Sequence, residues 1–236
     1  MSLPSTIEDW PEYHWRGVMI DVARHFIPLP LLKRTLDGMA MARLNTLHLH
    51  LTDAESFRVE LHDTHNFPQL SNLAKLSSSS GETYSLRDLN EVIQYASALG
   101  IDVVPEVDVP AHVQSWAKTY PELVIMCEKA ADVVGRTPRN VYTLDISSPR
   151  TIALVQEIIS QIMTVFTSST SSHQHHYIHL GGDELHMDCW DESEFMLQEL
   201  QRRYNNTDYQ AKRAMYTAFE STVMEYVSSK FGMKSI

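Results

Sequence analysis

Tyr177-Ile178-His179-Leu180-Gly181-Gly182-Asp183-Glu184 carries a short apolar run into two glycines and then into two adjacent carboxylates. An apolar run that ends at a glycine pair reads as a buried strand entering a tight turn. Parallel α/β folds place their chemistry just beyond the C-terminal ends of such strands. An Asp-Glu pair by itself reads by default as a solvated turn. The glycines tip the reading toward a site, because they let the backbone bend sharply and let another group come close.

Working outward, three more strand-like runs precede this one, each followed by helical periodicity. Gly17-Val18-Met19-Ile20-Asp21 is the first, with Leu32, Leu36, Met39 and Ala40 recurring at helical spacing and Pro30 suited to a first turn. Thr46 to Leu51 alternates with period two, as a strand should, and a long polar connection containing Ser77 to Gly81 follows. Ser85-Leu86-Arg87-Asp88 then opens a helix with a capping-box-like pattern; Leu89, Val92, Ile93 and Ala96 form its face and Gly100 stops it. Ile101 to Val107 is the third strand, expected to end near Pro105, which cannot donate to a sheet ladder. After a loop past Cys127, Ile152, Val155, Ile159, Ile162 and Phe166 give another helix face. The Ser/His-rich stretch Thr167 to His176 reads as an exposed loop, its three histidines solvated. Helical material is expected from Asp191 to about Phe231, and Gly232 to Ile236 resembles the opening of a fifth strand.

Alternating strands and helices imply parallel strands with right-handed crossovers. Four such units fit a small doubly wound sheet or half of an eight-stranded barrel. No glycine fingerprint for a dinucleotide or a P-loop follows the first strand, which disfavours the nucleotide-binding version.

Composition narrows the class further. Over 236 residues the net charge is −11, and no basic stripe is available to neutralise phosphates, which argues against nucleic acid as a partner. No apolar stretch reaches the length of a membrane span; even Ile152 to Phe166 is interrupted by Gln156, Glu157 and Gln161. Met1 to Ser5 has neither the charged start nor the apolar run of a signal peptide. The two cysteines, Cys127 and Cys189, do not declare a compartment, and the sequon Asn205-Asn206-Thr207 matters only in a secreted chain.

Polar residues collect at the C-terminal ends of all four runs. Asp21, Arg24 and His25 follow the first, His50 and Asp53 the second, Glu106, Asp108 and His112 the third, Asp183 and Glu184 the fourth. Each alone reads more readily as a helix cap or solvated turn. Their recurrence at equivalent places favours a site in which carboxylates, an arginine and a histidine move protons on a polar, uncharged or anionic substrate.

Four motifs, in order, then resemble one family. Arg16 to Phe26 looks like the first-strand signature of the family 20 glycoside hydrolases, the β-N-acetylhexosaminidases; Asn45 to Asp53 is similar to their second strand. Pro105 to His112 is similar to their third, and His179-Leu180-Gly181-Gly182-Asp183-Glu184 to their catalytic motif. The resemblance implies a (β/α)8 TIM barrel of which this chain holds about the first four βα units, with residues 1–12 as an extension and 13–236 as partial catalytic barrel.

It also implies retaining, substrate-assisted removal of terminal β-linked N-acetylglucosamine or N-acetylgalactosamine, without cofactor or metal, the substrate's acetamido oxygen attacking the anomeric carbon. Glu184 is then the general acid, and Asp183 orients the acetamido group and stabilises its positive charge. Arg24 donates forked hydrogen bonds to sugar hydroxyls. His112, paired with Asp53, sits beside Glu184 and helps tune its protonation. The partner is a glycan or glycoconjugate, and a homodimer or partner subunit stays open. Lysosomal members of the family carry a disulfide at positions resembling Cys127 and Cys189, so a bond between these two, and a lysosomal or secreted parent, are expected.

The chain departs from the family in one motif: the position after Asp53, often a second acid, is Ala54. The later strands that supply tryptophans and a tyrosine to the acetamido pocket fall outside these residues. Trp116 and Trp190 are expected in core or loop packing rather than as substitutes. Two other readings stand beside this one. His48-Leu49-His50 puts two imidazoles on one strand face, as metal-dependent barrel hydrolases do. A half-barrel holding Asp183 and Arg24 could also bind sugar without turning it over. Such a half-barrel is expected to leave strand edges at Gly17 and Tyr177 and to deprive Val18, Ile20 and Ile178 of packing partners.

Overall fold

The computed structural model describes residues 6–77, 81–127, 141–167 and 177–236. β1 (Gly17–Asp21) leads to α1 (Leu29–Met41), in which Pro30 occupies the first turn and Leu32, Leu36 and Met39 face inward, with Ala40 half-buried. β2 (Thr46–His50) pairs parallel with β1, Val18 opposite Leu47 and Asp21 opposite His50. Leu47, Leu49 and Leu51 are fully buried, each contributing about 1.5–3 kcal/mol through the apolar surface withdrawn from water.

The connection after β2 is more than polar coil. It holds α2 (Asn72–Ser77) and buries Phe57, Val59, Leu61, Phe67 and Leu70 in the common core. Charged neighbours such as Arg58 and Glu60 obscured that alternation in the sequence. α3 (Leu86–Ala98) opens on the expected reciprocal cap: the Ser85 hydroxyl accepts from the Asp88 amide, and the Asp88 carboxylate accepts from the Ser85 amide. Its inward face is Leu89, Val92, Ile93 and Ala96, as expected.

β3 (Asp102–Glu106) pairs parallel with β2 and continues one residue past Pro105, whose carbonyl accepts from the His179 amide. β4 (Val124–Cys127) and β5 (Val141–Leu144) then form an antiparallel pair that the sequence pattern had read as loop. α4 (Pro149–Phe166) turns Leu154, Val155, Ile158, Ile159 and Ile162 inward, with Ile152 and Phe166 half-buried at the margins of that face. Residues 168–176 of the Ser/His-rich stretch, with its three histidines, and residues 78–80 of the serine run lie outside the described residues.

β6 (Tyr177–Ile178) joins β3 through the pairing of His179 with Glu106. The helical material beyond it divides into a 3-10 turn over Met187–Glu192, α5 (Glu194–Tyr204) and α6 (Tyr209–Phe231). The break falls at Asn205, the sequon asparagine, which is exposed and left-handed at φ 53°. β7 (Lys234–Ser235) is the expected fifth strand and pairs parallel with β6. The strand order is therefore β1-β2-β3-β6-β7, a parallel arc with helices between successive strands, part of a (β/α) barrel.

This order corrects one expectation. β6 is not an edge, because β7 covers it, and Ile178 is fully buried. At the other end β1 pairs only with β2 among the described residues, and Val18 and Met19 are exposed. Trp116 and Trp190 are buried, Trp116 edge-on to Phe57, as core packing requires.

Cys127 at the end of β4 is disulfide-bonded to Cys189 in the 3-10 turn, with Cα atoms 5.2 Å apart. That separation suits the bond. The link closes 62 residues of chain, worth about 4 kcal/mol in the chain-entropy account. A double Cys127→Ser, Cys189→Ser variant is expected to unfold at clearly lower urea than the oxidised chain; equal midpoints would show that the bond adds nothing.

Candidate active site

Two glycines shape the turn that carries the carboxylate pair. Gly181 has φ +69° and lies against Asp108 so closely that a Cβ there would sit 1.8 Å from its Oδ1 and 2.8 Å from its Cα. Gly182, at φ +96°, is held on both sides: its amide donates to Asp108 Oδ1 at 3.3 Å, and its carbonyl accepts from the Tyr216 hydroxyl at 3.4 Å. This clamp sets the direction in which Asp183 and Glu184 leave the sheet. Both side chains remain about 70% exposed.

His112, which follows β3, reaches the pair from the barrel side. Its Nε2 lies 3.4 Å from Glu184 and 3.9 Å from Asp183, and its Nδ1 lies 3.3 Å from Asp53. The hydrogen bond to Asp53 outweighs burial and, with the charges of Asp108, Asp53 and Asp183, lifts the His112 ring to about 9. Burial pushes Asp108 up to about 7, with the negative charges of Asp183 and Glu106 adding to it. Burial would also raise Asp53, but its hydrogen bonds from His112, His50 and the Ala54 amide hold it far below the ordinary carboxylate range.

Arg24 is set by three carboxylates: Asp21 at 2.7 Å, Asp53 at 2.8 Å and Glu55 at 3.5 Å. A guanidinium has five N–H donors, so the terminal nitrogens keep donors to spare for a ligand. Arg24, Asp53, His112 and Glu184 line one cleft of about 280 Å³, joined by Glu55, Gln114, Tyr142 and His186. His25 is exposed and does not line it. Asp183 lies beside His112 at the cleft's edge rather than in its lining.

The strand-borne imidazoles have another task than the metal reading gave them. His48 Nε2 and His50 Nδ1 both point at Glu106 Oε2, at 2.6 and 2.9 Å, and His179 Nδ1 lies 3.3 Å from Glu106 Oε1. The two shorter spacings set each ring directly against the carboxylate. A tetrahedral zinc ion shared by these groups would hold its ligands at about 2.0–2.2 Å from itself and so about 3.3 Å from one another. Tyr216 escaped the sequence reading altogether: it is one tyrosine on a helix, 34 residues from the glycine it touches, and no local pattern marks it. Glu55 was equally unmarked.

A parallel β/α barrel arc thus gathers acids, an imidazole and an arginine at the C-terminal ends of β1, β2, β3 and β6. Residues 13–234 match the family described as "Glycosyl hydrolase family 20, catalytic domain", and the chain belongs to that family. It is 39% identical over 185 residues to β-hexosaminidase subunit A1 of Dictyostelium discoideum, covering 78% of this chain and 31% of that protein. It is 33% identical over 226 residues to the mouse β-hexosaminidase subunit beta, covering 95% and 38%. Among solved structures, the exo-β-N-acetylglucosaminidase of Vibrio harveyi in complex with N-acetylglucosamine superposes with a TM-score of 0.79 at 26% identity, covering 96% of this chain and 35% of that one. The chain thus spans about a third of the length of the relatives it matches.

Proposed function

We propose that these residues are the first part of the catalytic barrel of a retaining exo-β-N-acetylhexosaminidase that removes terminal β-linked N-acetylglucosamine or N-acetylgalactosamine from glycans. One observation carries the reading. Adjacent carboxylates on a glycine turn meet an imidazole that a buried carboxylate holds from behind.

In this reading Glu184 protonates the leaving oxygen while the substrate's acetamido oxygen attacks C1, and the glycosidic C–O bond breaks. Asp183 steadies the positive charge that grows on the acetamide. Glu184 then takes a proton from the water that adds to C1, which restores both the acid and the β configuration. Arg24, its orientation fixed by Asp21 and Asp53, offers its remaining donors to sugar hydroxyls. The disulfide supports a parent that matures in an oxidising compartment, lysosomal or secreted. Among the described residues no helix is long and apolar enough to cross a membrane.

The exposure of Asp183 and Glu184 favours a second reading for this stretch by itself: it binds sugar weakly and shows negligible turnover. The test is a full-length protein carrying these residues, given an aryl β-N-acetylhexosaminide and followed by proton NMR of the first-formed sugar. The expected product is the β anomer, and Asp183→Asn is expected to be severely impaired. An α first product, or an Asp183→Asn enzyme of normal kcat, would contradict the mechanism.

A further inference from the structure

His50 touches a different carboxylate with each ring nitrogen. Nε2 lies 2.6 Å from Asp53 Oδ2, and Nδ1 lies 2.9 Å from Glu106 Oε2. A neutral imidazole has one donor and one acceptor. One of the two contacts would then set a lone pair against a carboxylate oxygen, unless the acid itself carried a proton.

The surroundings of the acids decide which. Asp53 receives only donors: Arg24 and His50 on Oδ2, the Ala54 amide and His112 on Oδ1. Glu106 is met by His48 and His50 on Oε2 and by His179 near Oε1. Two ionised carboxylates at hydrogen-bond distance on either side of one ring call for a donor at each end. Burying such anions without positive charge between them would be costly.

We infer that His50 is a standing imidazolium that bridges Glu106 and Asp53, and that it acts as a positioning residue for the His112–Glu184 pair. It extends the pair into a five-membered chain of alternating acids and imidazoles: Glu106, His50, Asp53, His112, Glu184. The chain runs from β3 through β2 to the turn after β6. Because His50 and Arg24 together neutralise Asp53 Oδ2, Asp53 stays an anion whether or not His112 is charged. It therefore keeps the His112 Nδ1 proton on its own side and leaves Nε2 aimed at Glu184. This role rests on the function proposed above; the charge state of His50 does not.

The groups facing His50 come from three strands and the loops that follow them: Asp21 on β1, Asp53 after β2, Glu106 and Asp108 at the end of β3. All are acids. Burial disfavours the charged ring, but the hydrogen bonds and charges of Asp53 and Glu106 outweigh it and lift His50 to about 10. The same bonds, with those of His179 and His48, pull Glu106 far below the ordinary range against its own burial.

The test uses this chain and needs no turnover. Long-range proton–nitrogen correlation spectra, recorded from pH 5 to 11, read the protonation of each histidine ring. Both His50 nitrogens are expected to show the protonated signature up to pH 9, while His112 titrates near 9. In His50→Gln the His112 midpoint is expected to rise, because a neighbouring positive charge has gone. A His50 ring in a single neutral tautomer at pH 7, with the proton on Glu106 instead, would overturn the inference. So would an unmoved His112 midpoint in the variant.

If the variant does not fold, the wild-type urea midpoint still decides. His50 binds a proton more tightly folded than unfolded, so its stabilisation is full below pH 6.5 and lost as pH rises through about 10. His112 acts in the same direction up to about 9. A midpoint unchanged between pH 6.5 and 9.5 would refute the standing charge. Should the spectra show the imidazolium while the full-length protein fails to cleave hexosaminides, the functional proposal falls and the charge chain stands.

Discussion

Glu184→Gln in an active barrel is expected to lower kcat on a β-N-acetylhexosaminide by about 10²–10⁴-fold, the usual worth of a positioned general acid. The substitution keeps the size and the hydrogen-bonding reach of the side chain, so the turn at Gly181–Gly182 and the contact with His112 have no steric reason to move. What goes is the proton. The loss should therefore depend on the leaving group: largest for a sugar or alkoxide, which must be protonated to depart, and much smaller for an electron-poor phenolate. KM should change little. Equal losses for good and poor leaving groups, measured as kcat on a matched pair of substrates, would place Glu184 in binding rather than in acid catalysis.

Gly181→Ala is expected to be nearly as damaging by a purely structural route. The position is left-handed, which costs an L residue about 1–2 kcal/mol. The new methyl would also sit inside the van der Waals shell of Asp108, against its backbone as well as its carboxylate. Overpacking of that kind costs about 1–3 kcal/mol more. Relief can come only by moving the turn, and an error of about 1 Å in a reacting group costs on the order of 10²-fold in rate. Gly38→Ala supplies the contrast, since nothing lies within 4 Å of a Cβ there and the position is inside α1. Urea midpoints and kcat/KM of the two variants should diverge sharply. A Gly181→Ala protein with wild-type values for both would show that the tight turn is not needed.

Much of this was legible in the chain because the signals are local. Period-two alternation at Thr46–Leu51 and helical spacing at Leu89, Val92, Ile93 and Ala96 each depend on one element meeting one core. The recurrence of acids and imidazoles just beyond successive runs pointed to the candidate site, since equivalent strand ends converge in a parallel barrel. The antiparallel pairing of Val124–Cys127 with Val141–Leu144 was not legible, because its register depends on residues far apart in the chain. The packing of Phe57, Val59 and Phe67 was hidden in a segment whose charged residues dominate a window average. Tyr216 and Glu106 mark the same boundary. One clamps Gly182 from a distant helix, and the other gathers three imidazoles from two strands. Neither has a sequence neighbour that reveals the contact.

The account rests on the substrate's own acetamide acting as nucleophile beside Asp183 and Glu184. The most direct measurement compares kcat/KM of a full-length protein carrying these residues on two aryl glycosides that differ only at C2: the β-N-acetylglucosaminide and the plain β-glucoside. Without the acetamido oxygen no nucleophile stands behind C1, and Asp183 has no positive charge to steady. The prediction is rapid cleavage of the first substrate and barely detectable cleavage of the second. Efficient hydrolysis of the plain β-glucoside would contradict it.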